Sequence, residues 1–174
     1  KMKYPIGIQQ FEKLREEGWV YVDKTIHIHR MVSKGTYFFL SRPRRFGKSL
    51  LMSTIETYFK GKKEFFKGLS IEKLEKDWNE HPVLHLDLNA ERYATTDELN
   101  NILDTYLREW EKLYGSEEGN NESLSRRFLA VIRAAKQKTG RNVVVLIDEY
   151  DKPMLQAIGN EDLQIQFRNM LKAF

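Results

Sequence analysis

The sequence predicts an α/β fold, a three-layer sandwich in which helices cover a mainly parallel sheet. Three observations predict it. Strand-like apolar runs alternate with helical patterns along the chain, the order that builds such sheets. The run Tyr37-Phe38-Phe39-Leu40 passes through a short basic stretch into Gly47-Lys48-Ser49 and then into a helical pattern from Leu50. Much further on, Asn142-Val143-Val144-Val145-Leu146-Ile147 is apolar and β-branched, and it ends in Asp148-Glu149.

Strand, tight loop with Gly-Lys-Ser, helix is the context in which a phosphate-binding loop (P-loop) works. Backbone N–H groups of such a loop wrap a phosphate, and the helix points its positive N-terminal end at the anion. In that reading Arg44, Arg45, Phe46, Gly47, Lys48, Ser49 and Leu50 form the nucleotide cradle. Lys48 reaches the β- and γ-phosphates, and Ser49 ligates Mg²⁺ through its hydroxyl. The general pattern G-x-x-x-x-G-K-[ST] has its first glycine where this chain has Arg42. That glycine supplies a backbone conformation that residues with a Cβ reach only at a cost. Taken alone, the stretch reads equally as a basic surface turn that caps a helix.

The run 142–147 has no polar alternation, so it reads as a strand buried on both faces, as in a parallel sheet. Two carboxylates at the carboxyl end of such a strand are costly unless they act. In a nucleotidase the aspartate, here Asp148, holds Mg²⁺, and the glutamate after it, here Glu149, orients and polarises the attacking water. The plainer alternative is an acidic loop that ends a strand and caps the next helix. Loop and acid pair are independent signals in the right order. Together they make Lys48 and Glu149 the candidate catalytic residues, and Ser49 and Asp148 the candidate metal ligands.

The 174 residues suffice for one domain with a real core. With 41% hydrophobic and 31% charged residues the composition is that of a soluble globular protein. No apolar run approaches the ~20 residues of a membrane span, and no secretory signal opens at Lys1-Met2-Lys3-Tyr4. Cysteine is absent, which excludes a disulfide framework, a thiol nucleophile and a thiolate metal site, and agrees with a cytoplasmic setting. The net charge is +4. Most Lys and Arg interleave with acids, as in Glu72-Lys73-Leu74-Glu75-Lys76, which makes a solvated face. Arg42, Arg44, Arg45 and Lys48 cluster and suit nucleotide phosphates or a nucleic-acid backbone. Lys60, Lys62 and Lys63 read as a helix C-terminus, where cations complement the dipole.

In order, a short helix is expected at 9–17, with Phe11 and Leu14 inward and Gly18 as its stop. An extended stretch 19–22 follows. Asp23 or Thr25 then caps a helix carrying Ile26, Ile28, Met31 and Val32 that ends at Gly35. His27 and His29 read as surface or packing residues, and the stretch 22–25 is a candidate approach to the adenine. The loop strand is expected at 36–40 and its helix at 49–59, ending near Gly61. Phe65, Phe66, Ile71, Leu74 and Trp78 mark a short helical excursion with Ser70 as cap. Val83-Leu84-His85-Leu86-Asp87-Leu88 is a second strand with a more polar face, nearer an edge. Its Asp87 is either a further acid of the site or the partner of a neighbouring base. A long helix opens at Thr95-Thr96-Asp97-Glu98 and closes at Gly115, with Leu99, Ile102, Leu103, Tyr106, Leu107, Trp110 and Leu113 recurring at three and four. After a polar loop, Ser123 caps a helix whose core face is Leu124, Phe128, Leu129, Val131 and Ile132, with Arg126-Arg127 solvated. Gly140 ends it. Lys152-Pro153 opens a short helix. Asn160 caps a last one, carrying Leu163, Ile165, Phe167, Met170 and Leu171.

Three stretches carry a family resemblance: Tyr21-Val22-Asp23-Lys24-Thr25, then Phe39-Leu40-Ser41-Arg42-Pro43-Arg44-Arg45-Phe46-Gly47-Lys48-Ser49-Leu50, then Leu146-Ile147-Asp148-Glu149-Tyr150-Asp151-Lys152-Pro153. They resemble the predicted AAA-ATPase-like family of bacteria, in which Arg-Pro-Arg-Arg-Phe-Gly-Lys-Ser is itself the usual loop. The similarity runs from near Pro5 to Phe174. It implies a P-loop ATPase fold of the additional-strand type, with Gly47, Lys48 and Ser49 as the phosphate loop and Asp148 and Glu149 as the metal and water residues. Such folds carry a polar sensor residue on a strand that follows the acidic one and lies between the two nucleotide strands. No apolar run after Ile147 can be that strand. Residues 1–174 are therefore expected to be the N-terminal portion of a longer protein, with the sensor strand and any nuclease-like C-terminal domain outside it. The sheet is expected to show a gap between 36–40 and 143–147. The resemblance implies a cytoplasmic, Mg²⁺-dependent ATP-binding and ATP-hydrolysing domain with no membrane partner. A homo-oligomer, and a nucleic-acid or protein partner engaged through the missing part, remain open. The alternative is a degenerate module that senses nucleotide or binds nucleic acid or protein without hydrolysis.

Overall fold

Two units divide the chain, Lys1–His81 and Pro82–Phe174, and each builds its own core. The computed structural model describes residues 4–5, 7–35, 37–40, 47–89, 92–116 and 122–174.

The first unit is helical among its described residues. Helix α1 (Phe11–Glu16) buries Phe11 and Leu14 completely. Its opening N–H, which the helix itself cannot satisfy, donates from Phe11 to Ser53 Oγ at 2.9 Å. Helix α2 (Thr25–Val32) buries Thr25 and Ile28, and α3 (Lys48–Phe59) buries Thr54, Ile55, Thr57 and Tyr58. The two buried threonines satisfy their hydroxyls on α3 itself, Thr54 on Leu50 O at 2.7 Å and Thr57 on Ser53 O at 2.9 Å. A 3₁₀ turn (Lys63–Phe66) and a short helix α4 (Ser70–Leu74) close the unit. Phe66 packs against Phe11 and Trp78, each with ring centroids 5.0 Å apart. Gly61 has φ +67, and a Cβ there would meet Trp78 O at 3.1 Å, so the turn after α3 requires glycine.

Asp23 is the joint of this unit. One carboxylate oxygen accepts from Thr25 N at 2.9 Å and from Thr25 Oγ1 at 2.6 Å; the other accepts from Ser70 N and Ser70 Oγ, both at 2.7 Å. Thr25 Oγ1 in turn accepts from Ile71 N at 3.1 Å. One side chain thus fixes the starts of α2 and α4. Burial pushes this carboxyl up, but the Ser70 and Thr25 hydrogen bonds outweigh it and hold it at about 2. The unfolded value is about 3.9, so the stabilisation is complete above that pH and is lost as pH falls through about 2. Asp23→Ala is expected to cost about 1–2 kcal/mol at neutral pH, the range of a lost cap. Urea denaturation of both proteins should show the gap closing as acid is added. A gap that persists unchanged in acid would show that the carboxylate is not its source.

The second unit is built on two parallel strands, β1 (Val83–Asp87) and β2 (Val144–Asp148), paired Val83 to Val144 through Asp87 to Asp148. Between them run α5 (Thr96–Tyr114) and α6 (Leu124–Thr139); α7 (Lys152–Gln156) and α8 (Glu161–Ala173) follow β2. Helix α5 opens with a capping box between Thr95 and Glu98 and closes at Gly115. Ser123 and Asn160 cap α6 and α8 through Arg126 N and Leu163 N. The core is Leu84, Leu86 and Leu88 from the β1 segment, Leu99, Leu103, Leu107 and Trp110 from α5, with Val131 and Phe167. No described helix is long and apolar enough to cross a membrane.

Several expectations are corrected. Residues 37–40 are not a strand but coil, with Tyr37 96% and Phe39 72% exposed, and Thr36 lies outside the described residues. β-propensity describes side chains that fit a pleat, and a strand forms only where a neighbour supplies the ladder. The described sheet therefore has two strands, not three, and a three-layer sandwich is not formed by them. β2 is not buried on both faces, since Val145 and Ile147 are exposed. Leu113 and Leu129 also face solvent, as does Ile165. Arg127, expected to be solvated, is buried.

Candidate functional site

The candidate phosphate loop lies in the first unit. Gly47 takes a left-handed backbone, φ 73 and ψ 26, as the residue before α3. Leu51 N donates to Gly47 O at 3.0 Å and closes the first helical turn. Lys48, Ser49 and Leu50 occupy that turn, half-buried, where N–H groups have no acceptor within the helix. No acidic residue stands in the turn to compete for them. A backbone with this dipole and no local carboxylate suits an anion. Arg44, Arg45 and Phe46, like 41–43, lie outside the described residues.

The candidate acid pair lies in the second unit. Register places Asp87 and Asp148 side by side at the carboxyl ends of β1 and β2. In-register residues of a parallel pair project to the same face. Asp148 is buried, and its Oδ1 accepts from Glu149 N at 2.9 Å. Its carbonyl accepts from Leu88 N at 3.1 Å, so the chain after β1 stays bound to the end of β2. Glu149 has φ 54, the one left-handed non-glycine residue among those described. Such a backbone costs a residue with a Cβ about 1–2 kcal/mol. Lys152 N then donates to Glu149 O at 3.0 Å and closes the turn into α7. The Asp87 carboxylate accepts from Asn89 N at 2.8 Å, and the Tyr106 hydroxyl sits 3.3 Å from both Asp87 N and Asp87 O. Ser49 and Asp148 are hard oxygen donors, the class a small divalent cation takes.

Other candidates are spent on structure. Asp23 and Thr25 hold the start of α4. Arg127, expected to be solvated, is bound to Glu111 and Asp104 of α5. His27 and His29 join no metal cluster, and among the described residues no group of three or more His, Asp or Glu side chains could hold a metal. The contact between Asn89 and Lys152 has no signal in the sequence: the Lys152 ammonium donates to both Asn89 O and Asn89 Oδ1, the latter at 2.8 Å. They lie 63 residues apart, beyond any local pattern. Lys48 and Ser49 belong to the first unit, and Asp148 and Glu149 to the second.

A family model described as "Predicted AAA-ATPase" matches residues 5–174. An uncharacterized protein in the vnfD 5' region of Azotobacter chroococcum mcd 1 is 37% identical over 174 residues, 99% of this chain and 33% of that protein. The chain therefore spans about a third of the length of this curated relative. No solved structure matches it significantly.

Proposed function

The chain belongs to the predicted AAA-ATPase family, and we propose that it binds Mg·ATP and contributes the residues that hydrolyse it. One observation carries the reading: a glutamate held left-handed directly after a buried aspartate at the carboxyl end of a parallel strand. Backbone strain of this kind clusters at functional sites, and a buried aspartate needs a purpose for its burial.

In this reading the N–H groups from Gly47 to Leu50, with Arg44, Arg45 and Phe46, wrap the phosphates. Lys48 neutralises the β- and γ-phosphate oxygens, aided by the α3 dipole. The donors fit magnesium, which keeps most of its waters and takes one or two protein oxygens, so no three-carboxylate cage is needed. Ser49 and Asp148 would hold it, and when bound it offsets charge that develops on the phosphoryl oxygens. Glu149 accepts a proton from the attacking water as the water oxygen bonds to the γ-phosphorus and the bond from the γ-phosphorus to the bridging oxygen breaks, releasing ADP and inorganic phosphate.

Calorimetric titration of Mg·ATP into the full-length protein tests this. Lys48→Ala is expected to weaken binding at least about 30-fold, the loss that follows removal of one desolvated charge partner. Equal affinity in both proteins would remove the loop from the site.

A further inference from the structure

We infer that Lys152 is a positioning residue for Glu149, clamping the turn after β2 to the turn after β1; the inference rests on the ATPase reading above. Lys152 is bound at both ends. Its backbone N–H closes the Glu149 turn at 3.0 Å. Its ammonium grips Asn89 through the main-chain carbonyl and through Oδ1. Asn89 is itself fixed, since its N–H donates to Asp87 Oδ1 at 2.8 Å. Pro153, buried, follows directly and limits the backbone on the far side of Lys152.

The physical need is specific to this turn. A left-handed glutamate lies above its extended and helical alternatives in energy, so the surrounding structure must hold it there. The Asp148 carboxylate holds the Glu149 N–H from the strand side. On the other side the Lys152 N–H holds the Glu149 carbonyl, but α7 is only five residues long and has no side-chain cap to hold its own start. The Lys152–Asn89 clamp supplies that hold through charge-assisted hydrogen bonds, the stronger kind. β1 and β2 are neighbours in register, so the clamp ties Glu149 to the rigid strand beside its own. Loss of the clamp loosens the Glu149 turn and with it the aim of its carboxylate at the attacking water.

The test uses the full-length protein with Lys152→Met, Lys152→Arg and Asn89→Ala, read by steady-state hydrolysis of Mg·ATP and by amide hydrogen exchange at 149–152. Lys152→Met is expected to lower kcat roughly 10- to 100-fold, the scale of a small misplacement of a reacting group. KM should stay within about twofold, because ground-state binding does not involve the clamp. Lys152→Arg should restore most of kcat, and Asn89→Ala, which keeps the carbonyl acceptor, should fall between. Exchange at 149–152 should accelerate in Lys152→Met. Wild-type kcat and exchange in Lys152→Met would overturn the clamp and leave the ATPase reading standing. A parallel loss of kcat, KM and melting temperature that Lys152→Arg does not rescue would overturn it in favour of a purely structural lysine. A wild type that neither binds nor turns over Mg·ATP would overturn both.

Discussion

Glu149→Gly is expected to fold more stably than Glu149→Ala while neither turns over ATP. The two variants both lack the carboxylate, so their difference isolates the backbone. At φ 54 alanine bears a left-handed penalty of about 1–2 kcal/mol, whereas glycine bears almost none but gives up about 0.5–1 kcal/mol of extra chain entropy. The net expectation is a gain of roughly 0.5–1 kcal/mol for glycine, read by chemical denaturation. Glu149→Gln separates the chemistry. It keeps the side-chain size and the contact to Asp148 Oδ1, which the residue's own main-chain N–H donates. It removes the acceptor for the water proton. Turnover should fall about 10²- to 10⁴-fold, the range of a general base, with Mg·ATP binding retained. A glycine variant no more stable than alanine would show that the turn bears no strain, and the argument from conformation to function would fail. Normal turnover by Glu149→Gln would reassign the base.

The loop and the acid pair could each be read in the sequence because each couples chemistry to local backbone. Gly47-Lys48-Ser49 is at once a helix start and an anion cradle. Asp148-Glu149 is at once a strand end and an acid pair. Helix ends were legible for the same reason: Thr95, Ser123 and Asn160 act as caps within a few residues of themselves. What was not legible depends on partners far away in the chain. Residues 37–40 have the composition of a strand, but pairing is a property of two segments. Val145 and Ile147 look like a doubly buried strand, and their exposure depends on what lies beyond the β1–β2 pair. Lys152 looks like the first residue of a helix until Asn89 is seen beneath it. Asp23 looks like a helix cap, and it is one, but for two helices: the second begins 47 residues on.

The same limit governs Arg127, whose replacement should destabilise the second unit most. Arg126-Arg127 reads as a solvated charge pair, and Arg126 is one, with its side chain 72% exposed. Arg127 has 4% of its side chain exposed. Its guanidinium forks onto Glu111, Nε to Oε1 at 2.7 Å and the terminal nitrogen to Oε2 at 2.9 Å, and also donates to Asp104. These three side chains fasten α6 to α5 across the core. The two acids raise the guanidinium's affinity for its proton, Glu111 foremost. Hydrogen bonds from Arg108 and Arg127 hold the Asp104 carboxyl below the usual range. Arg127→Met fills much of the volume but leaves Glu111, mostly buried, without its fork. Breaking one side of a buried pair costs about 3–5 kcal/mol, and the partial hydration open to Asp104 puts this case near the lower bound. At about 3 kcal/mol the melting temperature should drop by roughly 6–12 °C for a chain of this length. Because the Asp104 carboxyl is depressed, its share of this stability is present above the unfolded value of about 3.9 and is lost as pH falls through the lower folded value. The Arg127→Met deficit should therefore shrink in acid. Adding Glu111→Leu to Arg127→Met removes the stranded charge and should recover much of the loss, since a buried pair replaced on both sides by apolar groups is often neutral. A double variant as unstable as Arg127→Met alone would show that packing lost at Arg127, and not the orphaned carboxylate, sets the cost.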